Sequence, residues 1–185
     1  MNIALFGGSF DPPHLGHIAV IHTAIKELDI DKLIVVPAFV NPFKTGTHAP
    51  AKLRLTWLEA IFKDDDNVVV SDFEVKQNRA VKSIETVLHY KKSYEKIYFI
   101  IGADNLASLK QWHQFKALDN LVTWVVATRD QTPIESDYKQ LNVTYKVSST
   151  ELRENALQEH LPEAVAQEIK TYYEETHARQ NQQDR

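Results

Sequence analysis

A parallel, doubly wound α/β fold is predicted by three features of this 185-residue chain. Apolar runs alternate with amphipathic segments along most of its length. Runs such as Leu33-Ile34-Val35-Val36 and Ile97-Tyr98-Phe99-Ile100-Ile101 lack polar alternation, which suits strands covered on both faces. The first run ends in a glycine pair, Gly7-Gly8, and a helical pattern follows Gly16. In such sheets ligands bind outside the carboxyl ends of the strands, which places the Gly7–His17 segment at the binding edge.

The expected strands are Asn2–Phe6, Lys32–Pro37, Val68–Phe73, Ile97–Ile101, Thr123–Ala127 and Val143–Val147. Between the first two, Ile18, Ile21, Ile25 and Leu28 recur at helical spacing. A second helix fits Ala51 to Phe62, with Leu55, Leu58 and Phe62 on one face; Val81–Tyr90 and Leu106–Leu118 are less regular helical segments. The C-terminal part reads as helical: Ser149–Gln158, then a start at Pro162 with Val165, Ile169 and Tyr172 or Tyr173 on one face. The whole is a Rossmann-like sheet with a small C-terminal helical part. One domain is expected over residues 1–175, and 176–185, almost without apolar side chains, is expected to be disordered.

A chain of this length buries roughly 70% of its unfolded surface. A net charge of −4 gives no support for a nucleic-acid or anionic-membrane partner. No cysteine is present, which excludes disulfides, thiolate metal sites and cysteine nucleophiles. Neither a leader nor an apolar run near the ~20 residues of a membrane span is seen, so the cytoplasm is the expected compartment. The sequence leaves open whether the chain forms a homo-oligomer.

Three segments carry chemistry. The first is Gly7-Gly8-Ser9-Phe10-Asp11-Pro12-Pro13-His14-Leu15-Gly16-His17. A strand, a glycine turn and a helix start make an anion site from backbone N–H groups and the helix dipole. His14 and His17, three apart, occupy one face and can address one phosphate chain. A zinc site lacks a third ligand at suitable spacing. The second is Val147-Ser148-Ser149-Thr150-Glu151-Leu152-Arg153, which also reads as a helix capped by an S-x-x-E box. The third is Gly102-Ala103-Asp104 with Trp112 downstream, where a carboxylate and a ring face follow a strand; helix capping by Asp104 and core packing of Trp112 are the alternatives.

The first segment resembles the signature of the HxGH nucleotidyltransferases, and most closely that of bacterial nicotinate-nucleotide adenylyltransferases. The second and third resemble the same family's ISST-x-[IV]-R and GAD…W segments. The resemblance covers most of residues 1–175. It implies adenylyl transfer from ATP to nicotinate mononucleotide, giving nicotinate adenine dinucleotide and pyrophosphate. It assigns Gly7, Gly8, Ser9, Phe10, His14, His17, Ser149, Thr150 and Arg153 to ATP, with His17 and His14 catalytic. Lys44, Arg54, Ser83, Asp104, Trp112 and Arg129 are assigned to the mononucleotide.

The attacking phosphate oxygen is already anionic, so no general base is needed; alignment and charge stabilisation are expected to carry catalysis. His17 would donate to an α-phosphate oxygen, His14 would hold the triphosphate, and Ser149, Thr150 and Arg153 would stabilise the leaving pyrophosphate. Magnesium is expected on substrate phosphates and water, with no protein side chain as ligand. One departure from the family stands at Val81-Lys82-Ser83, where relatives carry Ser-Tyr-Thr near the nicotinate ring. This bears on the choice between nicotinate and nicotinamide mononucleotide. The rival readings are transfer to another acceptor, such as phosphopantetheine or glycerol phosphate, and a non-catalytic nucleotide sensor.

Overall fold

The computed structural model describes residues 1–40, 49–128, 138–145, 148–155 and 158–183. Six strands form one sheet: β1 (Asn2–Gly8), β2 (Lys32–Pro37), β3 (Val68–Val70), β4 (Lys96–Gly102), β5 (Thr123–Thr128) and β6 (Lys139–Asn142). Their order is β3-β2-β1-β4-β5-β6, and every pairing is parallel. The chain reverses its direction of travel across the sheet between β1 and β4, and the crevice at such a point is where doubly wound sheets take nucleotides.

The helices are α1 (Leu15–Glu27), α2 (Ala51–Phe62), α3 (Phe73–Lys76), α4 (Ser83–Lys91), α5 (Leu106–Leu109), α6 (Phe115–Asp119), α7 (Ser149–Asn155) and α8 (Ala166–Gln183). Strand alternation decides which face each side chain joins. Ala4, Phe6, Leu33 and Val35 meet Val20, Ile21 and Ala24 of α1 on one face. Ile3, Leu5, Ile34 and Val36 meet Ile84 and Val87 of α4 on the other. Both faces are therefore covered, as the unalternating runs require. A third cluster lies outside the sheet, where Trp57 of α2 packs with Leu152, Val165, Ile169 and Tyr173 of the C-terminal helical part.

Four elements differ from expectation. The sixth strand is Lys139–Asn142 and not 143–147; it is an edge strand with one fully buried side chain, Leu141, so its apolar pattern is faint. Val143 adds one more backbone bond to Thr128, and 146–147 lie outside the described residues. The third strand stops at Val70 because Ser71 Oγ accepts from the Phe73 N–H at 3.2 Å and starts α3. The expected helix 106–118 is broken into α5 and α6 at Gln114, whose φ of 54° is left-handed. Finally, Thr176–Gln183 continues α8 where disorder was expected. Local contacts span this stretch: Thr176 Oγ1 donates to the Tyr172 carbonyl, and Arg179 pairs with Glu175. Among the described residues no helix is long and apolar enough to cross a membrane.

Candidate active site

The parallel sheet brings the carboxyl ends of its strands to one edge; the Gly7–His17 segment follows β1, the Gly102–Trp112 segment follows β4, and Ser149–Arg153 follows β6. β1 runs through Gly8, and a Cβ on Gly8 would meet the Phe10 ring at 3.1 Å. That contact explains the glycine: Phe10 turns back over it with a left-handed φ of 49°. Its buried ring packs edge-on to His17, with centroids 4.9 Å apart. The Asp11–Pro12 peptide that follows is cis.

His14 caps α1, and the two histidines cap each other. The backbone N–H of His17 donates to His14 Nδ1 at 3.3 Å, and that of His14 donates to His17 Nδ1 at 3.2 Å. Their rings stack with centroids 3.6 Å apart and planes inclined by 21°. This is a capping box built from two imidazoles. An Nδ1 that accepts cannot carry a proton, so the network assigns both rings the tautomer with the proton on Nε2. Each Nε2–H thus lies on the side of its ring away from the cap, that of His14 being buried. His14 is buried, 1% exposed, while His17 is half-buried.

The second helix start lies directly against this loop. Ser149 Oγ donates to the Pro12 carbonyl at 2.9 Å, and Arg153 Nη1 donates to the Asp11 carbonyl. Arg153 also reaches Thr150 Oγ1 at 3.2 Å. The S-x-x-E box is formed as well: Glu151 accepts from the Ser148 N–H at 2.8 Å, and Ser148 Oγ accepts from the Glu151 N–H at 3.2 Å. Capping and assembly therefore coexist. The Ser149 hydroxyl proton is thus engaged by Pro12.

Arg54 stands differently from its expected role. It is fully buried, and its guanidinium donates to four carbonyls: Ala49 at 2.9 Å, Ser9 at 2.5 Å, Ala38 at 2.8 Å and Phe39 at 2.9 Å. Burial lowers its affinity for the proton, and the nearby Asp11 carboxylate opposes that effect. Arg54 fastens the β1–α1 loop to the backbone on both sides of segment 41–48, and its guanidinium is buried rather than exposed as a surface cation. Helical periodicity should have flagged this, since Arg54 shares the buried face of Ala51, Leu58 and Phe62.

The remaining assigned residues divide. Asp104 is exposed just after β4, beside Gly102, where any Cβ would strike its Oδ1. Trp112 is half-buried, with its ring edge-on to Phe99 and Trp124 at 6.3 Å and 6.1 Å. Ser83 opens α4, whose cap is the Glu85 carboxylate accepting from the Lys82 N–H at 2.9 Å. A paired hydrogen bond from Arg79 is the main reason that this carboxyl is pushed down to about 2. Lys44 and Arg129 lie outside the described residues.

Two residues of the site had no assigned role. Asp11 is 4% exposed, and its Oδ1 accepts from the Ala49 N–H at 3.0 Å and from the Tyr173 hydroxyl at 2.5 Å. Burial, and then the Asp11 charge, raise the Tyr173 phenol far above its ordinary value, so it stays a donor at all working pH. Asp11 was visible inside the first segment. Tyr173 could be read only as one of two adjacent tyrosines on a helix face.

Comparison with known proteins fits this geometry. Residues 5–155 match the family described as Cytidylyltransferase-like. A protein of Sulfurimonas denitrificans named "Probable nicotinate-nucleotide adenylyltransferase" is 53% identical over 96% of this chain and 97% of its own. One of Campylobacter fetus with the same name is 49% identical over 97% of this chain and 100% of its own. The fold matches that of Plasmodium falciparum nicotinic acid mononucleotide adenylyltransferase complexed with NaAD, with a TM-score of 0.75 and 20% identity over 94% of this chain and 97% of that one. This chain belongs to the nicotinate-nucleotide adenylyltransferase family.

Proposed function

We propose that the chain is a cytoplasmic enzyme that transfers the adenylyl group of ATP to nicotinate mononucleotide. The products are nicotinate adenine dinucleotide and pyrophosphate. The observation that carries this reading is the bond from Ser149 to Pro12, which joins the starts of α1 and α7 into one polar surface beside the histidine pair. The close similarity to proteins named for this activity supports the choice of acceptor.

In this mechanism the acceptor phosphate oxygen attacks the α-phosphorus in line, and the bond to the β-phosphate breaks. No proton has to be removed from the nucleophile. The Nε2–H of His17 donates to an α-phosphate oxygen, most strongly as charge builds in the transition state. His14 donates to the phosphate chain from the same stacked pair. Arg153 and the first-turn N–H groups of α7 stabilise the departing pyrophosphate. Asp104, Trp112, Ser83, Lys44 and Arg129 serve the mononucleotide, and Arg54 supports the loops.

Magnesium enters this reading as part of the ATP complex. Among the described residues no group of three or more His, Asp or Glu side chains could hold an ion. Asp11, the carboxylate closest to the histidines in the chain, is committed to Tyr173 and Ala49. The ion would sit on phosphate oxygens and water and supply charge neutralisation.

The test is kcat/KM for nicotinate and nicotinamide mononucleotide, measured side by side with magnesium-ATP, together with phosphopantetheine and glycerol phosphate. Preferred turnover of nicotinate mononucleotide, abolished by chelation and restored by magnesium, supports the proposal. Tight ATP binding with no acceptor turned over would overturn it in favour of a sensor.

A further inference from the structure

The β1–α1 loop is gripped from behind by a residue near the opposite end of the chain. Tyr173 of α8 is 7% exposed, and its ring lies beside Trp57 with centroids 6.3 Å apart. Its hydroxyl donates to the Asp11 carboxylate across a separation of 162 residues. Asp11 also receives the Ala49 N–H on its side chain and Arg153 on its carbonyl. Asp11 is therefore the point where α8, the approach to α2, and α7 all hold the loop.

Pro12 and Pro13 separate Asp11 from His14. Proline fixes φ near −65°, so this stretch has few soft torsions with which to absorb a shift at Asp11. A displacement there passes to His14, the cap of α1, and through the reciprocal cap to His17. Packing alone does not call for the hydroxyl, because phenylalanine would fill the same space beside Trp57. Nor is a buried polar pair a strong choice for stability over an apolar one. We propose that Tyr173 is a positioning residue of the reaction, setting the histidine pair through its hydrogen bond to Asp11. The proposal rests on the adenylyltransferase reading; wild-type turnover tests that reading, and the ratio of variant to wild type tests this one.

The experiment is a double-mutant cycle of Tyr173→Phe and Asp11→Ala, assayed at saturating ATP and nicotinate mononucleotide, with thermal melts of each protein. Tyr173→Phe is expected to stay folded at the assay temperature and to lose about tenfold or more in kcat, with both KM values within about twofold of wild type. The double variant is expected to be no slower than Asp11→Ala alone, because both changes cut the same connection. Wild-type kcat in Tyr173→Phe would overturn the proposal, as would losses that multiply in the double variant. Unfolding of Tyr173→Phe at the assay temperature would also overturn it, since the hydroxyl would then be a stabilising group first.

Discussion

Ser149 Oγ lies 2.9 Å from the carbonyl oxygen of Pro12, a hydrogen bond between residues 137 apart in the chain. It joins the loop that ends in the histidine pair to the first turn of α7. Arg153 adds a second bond to the same loop at the Asp11 carbonyl. The two segments that resemble one family's separate signatures are thus a single construction.

Ser149→Ala removes one of these ties. A neutral hydrogen bond is worth about 1 kcal/mol, so the melting temperature should fall by only a few degrees. The kcat/KM for ATP should fall about tenfold as α7 loses its register on the loop. An unchanged kcat/KM for ATP would remove Ser149 from the account.

The histidines should be unequal in isolation and interdependent as a pair. His17→Ala is expected to cut kcat at least ~100-fold, the loss typical of one charge-stabilising donor. His14→Ala also loses the cap of α1 and should destabilise the protein by about 1 kcal/mol, seen in a urea titration. Because each ring receives the other's backbone N–H, the double variant should lose far less activity than the product of the single losses. Full multiplicative loss would contradict the reciprocal cap.

Arg54→Ala would leave four carbonyls without their donor and a cavity in the space of a fully buried side chain. Its first effect should be on stability, by about 3 kcal/mol or more, with activity falling as the loops loosen. A variant with an unchanged melting temperature and a raised KM for the mononucleotide alone would restore the direct-contact role that the sequence suggested.

Glu74 gives a pH dependence away from the site. It is 9% exposed, accepts from Thr86 Oγ1 at 2.6 Å, and burial pushes its carboxyl up to about 7. A carboxyl raised in the folded state binds its proton more tightly there than in the unfolded chain. Its contribution is therefore fully present below about pH 4.5 and is lost as the pH rises through about 7. The loss is of the order of 3 kcal/mol. Glu74→Gln keeps an acceptor for Thr86 without the charge. Denaturant midpoints should show it more stable than wild type at pH 8, with the difference vanishing near pH 4.5. An equal difference at both pH values would contradict this sign.

Most strands were legible because both of their faces are buried, so that Leu33–Val36 and Ile97–Ile101 needed no pattern beyond continuous apolar side chains. β6 was hidden because an edge strand that buries Leu141 alone reads as polar. The break at Gln114 turned on one backbone torsion at a residue with no special preference for it. The meeting of His14 and His17 with Ser149 and Arg153 could be anticipated because short segments carried them. Tyr173 was missed because its partner stands 162 positions away, and the burial of Arg54 went unread because a cation among polar neighbours looks exposed until the helix face is followed. Long-range polar contacts leave no periodic trace in a sequence.

In the proposed mechanism one polyphosphate is held between the starts of α1 and α7. A crystal structure of the chain with a non-hydrolysable ATP analogue and magnesium tests it most directly. Phosphate oxygens are expected within hydrogen-bond distance of both His17 Nε2 and the first turn of α7 or Arg153. An analogue bound at any other place, or one touching the histidines while α7 stands clear of it, would rule out a shared polyphosphate site.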